Sequence, residues 1–96
     1  MRKIESAMIH AIRTRRDWKS GNTAVWINPS DRTVSVYLHG NLIAEESDNQ
    51  LYLNESMLYR WPTVTTRSRL NALGFHVNQH NHEQVITRDT VPMADV

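Results

Sequence analysis

From Thr33 to Leu38 the chain alternates without a break: Val34, Val36 and Leu38 fall on one side, Thr33, Ser35 and Tyr37 on the other. A period of two marks a strand buried on one face only. In antiparallel sheets such a face packs on the core while its reverse meets water. The rest of the chain must therefore supply partner strands and a cover for the valine side.

The neighbouring segments read as those strands. Thr23 to Ile27 is rich in β-formers, and Asn28-Pro29-Ser30-Asp31 is a turn. His39-Gly40-Asn41 turns the chain into Leu42, Ile43 and Ala44, and Glu45 to Asn49 is a polar turn before a short strand from Leu51 to Leu53. Phe75 to Val77 and Gln84 to Thr87 are expected to close a hairpin around Asn78 to Glu83.

Two stretches read as the cover. From about Lys3 to Trp18, the residues Ile4, Met8, Ala11, Ile12 and Arg15 recur at helical spacing, with Gly21 as the expected stop. Arg15, Arg16 and Lys19 lie where the negative end of the helix dipole favours cations. Trp61-Pro62-Thr63-Val64 leads into a second helix, capped by Thr65 or Thr66 and closed by Gly74. Leu70 and Leu73 face inward there, which turns Arg67 and Asn71 outward. Trp26 and Trp61 are expected in the core, with Trp18, Tyr37 and Tyr52 as surface rings. The sum is one α+β domain over residues 1–96. It consists of an antiparallel sheet of about four to six strands, with an N-terminal helix and a short second helix packed on one face. The tail from about residue 90 is expected to be flexible.

Composition narrows the function. An apolar fraction of 40% in 96 residues supports one modest core. A chain this short would struggle to enclose a ligand pocket of about 300–1,000 Å³. The absence of cysteine removes disulfides, thiolate metal sites and a cysteine nucleophile, and fits a reducing compartment. No apolar run approaches the roughly 20 residues of a membrane span, and no leader sequence is recognisable. The expectation is a cytosolic protein without membrane contact.

The net charge of +1 conceals an uneven distribution. Residues 1–19 hold Arg2, Lys3, Arg13, Arg15, Arg16 and Lys19 against Glu5 and Asp17, whereas Asp31, Glu45, Glu46, Asp48 and Glu55 face only Arg32 across residues 31–59. Arg60, Arg67 and Arg69 then follow with no acid up to residue 74. Separated poles of this kind bear on partners rather than on fold.

Each charged or polar cluster has two readings. Thr65-Thr66-Arg67-Ser68-Arg69 opens a helix, where free N–H groups, hydroxyls and guanidinium groups suit a phosphate or a partner's carboxylates. Equally, the threonines only cap while the arginines pair with the acidic strand region. Arg13 to Lys19 with Trp18 would grip nucleic acid, or form a solvated helix end. The acidic pole suits an inhibitor that occupies a nucleic-acid channel, or a hairpin whose edge is protected by charge. His76, His80 and His82 lie in a polar hairpin with no thiolate nearby, a poor metal signature. No nucleophile elbow, phosphate loop, dinucleotide fingerprint or zinc-protease motif is present. The expectation is a non-enzyme without metal or cofactor.

The stretch from Val36 to Ala44 (VYLHGNLIA), followed by Trp61 to Leu73 (WPTVTTRSRLNAL), resembles a family of small proteins scattered through tailed-phage and prophage genomes. The likeness covers about residues 23–87, and its second motif is the more specific. Most members carry no assigned activity, so the resemblance implies a viral accessory protein rather than a mechanism. By analogy with small phage proteins that block host or defence machinery, anti-CRISPR proteins among them, the expected role is an inhibitor. It would dock on a host protein or protein–RNA complex in the host cytoplasm. Its contact surface is expected to comprise Arg67, Arg69, Thr66, Asn71, Arg13, Arg15, Arg16 and Lys19. The rival expectation is a module that binds DNA or RNA directly.

Overall fold

The computed structural model describes all residues from 1 to 96. The chain runs α1 (Lys3–Thr14), β1 (Trp18–Ser20), β2 (Thr23–Ile27), β3 (Val34–Leu38), β4 (Asn41–Ser47) and β5 (Gln50–Leu53). It continues through α2 (Glu55–Arg60), α3 (Val64–Leu73), β6 (His76–His80), β7 (Glu83–Arg88), β8 (Thr90–Pro92) and a final 3-10 turn, Met93–Asp95. The expected α+β architecture is what the structure shows, with one helix and two strands more than were anticipated.

Strands β1-β2-β3-β4-β5-β8 form a six-stranded sheet in that order, antiparallel throughout, and β6-β7 form a separate hairpin. Three of the hairpins turn on residue pairs with positive φ: His39-Gly40, Asp48-Asn49 and Asn81-His82. That backbone matches the right-handed twist of the strands it joins, and Asn, Asp and His tolerate it better than most residues.

The alternation of β3 is realised as drawn, since Val34, Val36 and Leu38 are buried. They join Val25, Ile27, Ile43, Ala44, Leu51 and Val91 on one face of the sheet. Met8, Ala11 and Ile12 of α1, Leu58 of α2, and Leu70 and Leu73 of α3 close over that face, together with Phe75 and Val77. Burying each such side chain stabilises the fold by about 1.5–3 kcal/mol. The other face of the sheet is bare.

Four expectations are corrected. The first helix ends at Thr14, not Trp18: Arg15 takes a left-handed φ of 48°, and its N–H bonds back to Ala11 and Ile12. The conformation is held because the Arg15 guanidinium is fixed by Glu46 and by the Arg32 carbonyl. The residues thereby released form β1, and Gly21 lies in its turn to β2. Second, the tail is part of the fold: β8 pairs with β5, Val91 is buried, and so is Val96. Gly74 makes room for it, since a Cβ there would meet Val91 Cγ1 at 3.2 Å. Third, Trp26 and Trp61 are not core residues and are 44% and 51% exposed. Fourth, Trp18 is not a free surface ring, being half-buried against the core.

A candidate groove and its shoulder

Arg69 and Arg67 are two residues apart on α3, and the fold sends them in opposite directions. Arg69 is 3% exposed. Its Nη1 meets Glu5 Oε2 of α1 at 2.8 Å, its Nε donates to Thr23 Oγ1 at 2.9 Å, and Nη2 reaches Asn22 Oδ1 at 3.4 Å. Ser68 Oγ also donates to Glu5 at 2.5 Å, and the Arg2 N–H does so at 3.3 Å. Burial alone would raise the Glu5 pKa, but the bonds from Ser68, Arg2 and Arg69, with the Arg69 charge, outweigh it and hold the carboxyl below its ordinary value. This network ties α1, α3 and β2 together, and no buried side-chain N or O is left without a partner. Arg69 is therefore withdrawn from the expected contact surface, and its partner is Glu5 rather than the acidic strand region.

Arg67 is half-buried. Its Nη1 donates to the Pro62 carbonyl at 3.1 Å and to the side-chain oxygens of Gln79 and Gln84 at 2.9 and 3.2 Å. It pins the β6-β7 hairpin against α3. Asn71 does similar work: its amide exchanges two hydrogen bonds with the backbone of Val77, at 2.9 and 2.8 Å. Thr66 is buried, with its N–H on Thr63 Oγ1 at 3.1 Å, so the cap of α3 is Thr63 rather than Thr65 or Thr66. The helix start thus has no guanidinium pair above it, because one arginine went to α1 and the other to the hairpin.

The basic N-terminal residues also separate. Arg15 forms a two-pronged pair with Glu46, at 2.5 and 3.0 Å, which raises the Arg15 pKa chiefly through those hydrogen bonds. Arg13 is exposed, with its Nε on the Val96 carbonyl at 2.6 Å. Arg16 and Lys19 are exposed. The acidic pole disperses as well: Glu46 turns inward to Arg15, while Glu45, Asp48 and Glu55 remain exposed. No three histidine, aspartate or glutamate side chains gather closely enough to hold a metal, and His76, His80 and His82 are exposed along the hairpin.

The structure brings a different set together. A groove of about 590 Å³ opens between the β3-β4 turn and the α2-α3 junction. Leu38, His39, Asn41 and Ile43 line it from one side, and Met57, Trp61, Thr63, Thr65 and Thr66 from the other. No lysine, arginine, aspartate or glutamate is among them. Its volume is in the range of ligand pockets, achieved as an open recess rather than the enclosed cavity that a chain of this length could hardly build. Beside it the chain crosses from α2 to α3 with Tyr59 54%, Trp61 51% and Val64 66% exposed. This exposure has a local cause. Asn54 fixes the entry to α2 through bonds with the Leu42 and Ile43 carbonyls. Leu58 then takes the inward position of a helix only six residues long, leaving Tyr59, Arg60 and Trp61 outside.

Of the residues singled out from sequence as a contact surface, only Thr66 lines this groove. The others that line it were missed as site residues. The available signal was the pair of stretches Val36–Ala44 and Trp61–Leu73, whose members Leu38, His39, Asn41, Ile43, Trp61, Thr63, Thr65 and Thr66 meet there.

In class this is a small α+β protein built on a sheet with one covered face and one open face, with an uncharged groove at its margin. It belongs to the Kyanoviridae Gp96 protein family, whose model matches residues 1–95. The phage origin expected from the resemblance is thus borne out at the level of a phage accessory protein family. No curated protein and no solved structure matches the chain. No helix is long and apolar enough to cross a membrane.

Proposed function

We propose that this phage protein is a non-enzymatic modulator that docks on a host protein assembly in the host cytoplasm. It would act by steric blockade without a cofactor, in an anti-defence or host-takeover role such as that of anti-CRISPR proteins. The observation that carries the reading is the shoulder: Tyr59, Trp61 and Val64 stand exposed beside a groove free of charged side chains. Exposed aromatic side chains next to an apolar recess are the composition of interface hot spots. The lining suits an uncharged, apolar segment of the partner, with His39, Asn41 and the threonines to meet its backbone. The exposed cations Arg13 and Arg16 lie elsewhere and serve to speed encounter.

The test is capture of host protein by the tagged chain, compared with Trp61→Ser. We expect one defined host protein or protein–RNA complex to be retained by the wild type and at least tenfold less by Trp61→Ser, with unfolding unchanged. Equal retention would remove the shoulder from the contact. A direct nucleic-acid reading is favoured by the exposed Lys3, Arg13, Arg16 and Lys19, and by Arg60 between the exposed Tyr59 and Trp61. It requires binding to DNA or RNA that weakens steeply with salt.

A further inference from the structure

The bare face of the six-stranded sheet is not the polar surface that a one-sided sheet ordinarily shows to water. Strand register places Trp26, Ser35, Glu45, Tyr52 and Thr90 in one row across it, from β2 to β8. The next row holds Lys19, Ala24, Tyr37 and Leu42, from β1 to β4. Three aromatic rings and a leucine thus share a face on which no helix packs, and Trp26 and Tyr52 are 44% and 42% exposed. We propose that this face is the interface of a homodimer, packed sheet on sheet about a twofold axis.

The charges on the face select this occupant. It carries one cation, Lys19 on β1, and one anion, Glu45 on β4, both exposed. A nucleic acid would demand several cations beside the rings, and would meet the Glu45 carboxylate in the middle of the platform. A second copy meets its own complement. An axis running along the strands midway between β2 and β3 places β1 of one copy over β4 of the other, since each lies one and a half strand spacings from that axis. Lys19 then approaches the partner's Glu45, one row away and within the reach of a lysine side chain, and the pair occurs twice by symmetry. The same axis puts Trp26, Ala24 and Tyr37 of both copies at the centre, where a hot spot belongs.

The size of the face limits the strength. About that axis only β1 to β4 of the two copies overlap, and four strands at about 4.8 Å spacing with two side-chain rows cover roughly 300 Å² per copy, so about 600 Å² in all. That is the size of a weak, transient interface rather than of a stable one. The dimer should accordingly be weak and reversible, and is to be sought at protein concentrations on the order of 10 µM to 1 mM.

Sedimentation of the full chain across that concentration range tests the proposal. Wild type is expected to pass from monomer to dimer as concentration rises. Trp26→Glu should weaken association at least tenfold while leaving the circular dichroism and unfolding of the dilute protein unchanged. Lys19→Glu should also weaken it, and Lys19→Glu combined with Glu45→Lys should restore it. A chain that stays monomeric throughout overturns the proposal, as does a dimer indifferent to Trp26→Glu or a charge swap that fails to rescue. A single-stranded oligonucleotide whose binding is lost in Trp26→Ser would reassign the face to nucleic acid and equally overturn it. None of these variants touches the Trp61 shoulder, so the two surfaces stand or fall separately.

Discussion

The two faces of the six-stranded sheet are made by alternate residues of the same strands, yet they treat charge and aromatic side chains in opposite ways. On the covered face Glu46 and Arg15 are held to each other, and beneath α1 and α3 Glu5 and Arg69 are fully paired and bonded. On the bare face Lys19 and Glu45 have no partner in the chain, and Trp26 and Tyr52 stand open. Burial explains the contrast. A charge taken out of water must be matched inside the chain, because an unmatched one costs several kcal/mol, whereas a charge in water can wait for an external partner. The covered face therefore dictates which residues belong together, and the bare face leaves that choice to association.

The sharpest way to break this comparison is to remove one member of the buried pair. Glu5→Gln leaves the Arg69 guanidinium without its counter-charge, and should destabilise the fold by about 3–5 kcal/mol in urea unfolding. Glu5→Leu combined with Arg69→Met removes both charges and should recover most of that loss. A Glu5→Gln variant as stable as wild type would show that the pair is solvated and the covered face less demanding than described. The same chemistry governs Arg69→Glu, which would set a second carboxylate against Glu5. Such a variant should fail to fold, so it cannot report on binding.

A smaller effect follows from pH. The Glu5 carboxyl is held below its ordinary value in the folded chain, so between the two values the unfolded chain binds the extra proton. Its stabilisation is complete above the ordinary carboxylate pKa of about 4.3. It is lost as pH falls from there through the folded value. Stability should fall on the acid side by up to about 1.4 kcal/mol per pH unit from this group. That component should be missing from the Glu5→Leu/Arg69→Met variant. Identical acid profiles would assign the sensitivity to other carboxylates.

What was legible in the sequence divides along the same line. The covered face could be read, because alternation in β3 and the inward pair Leu70 and Leu73 are local patterns that burial enforces. The destination of Arg69 was not legible. Helical spacing puts Arg69 on the face of Thr66, Leu70 and Leu73, but its partner Glu5 is 64 positions away and no local pattern names it. The end of α1 was missed because the cause of the left-handed Arg15 is Glu46, 31 residues on. The core expectation for Trp26 and Trp61 rests on residue type. Trp26 sits on the outward side of β2, opposite the buried Val25 and Ile27, so its alternation already contradicted that assignment. The groove was the hardest to foresee, since it joins a hairpin turn to an interhelical junction that no periodicity links.

The mildest expected effects lie on the bare face, and they test the comparison most directly. Tyr52 and Leu51 are adjacent on β5, one 42% exposed and the other fully buried. Leu51→Ala opens a cavity in the core and should cost about 2–5 kcal/mol. Tyr52→Ser, like Trp26→Ser, removes only cross-strand contact in water and should cost no more than about 1 kcal/mol, measured where the chain is monomeric. Raising the protein concentration should widen the gap between wild type and Trp26→Ser, because a dimer stabilises the folded state by mass action. If Tyr52→Ser were instead as costly as Leu51→Ala at high dilution, the ring would have to be packed beneath other atoms of its own chain. The sheet would then have two covered faces, and the bare surface available for association would be gone.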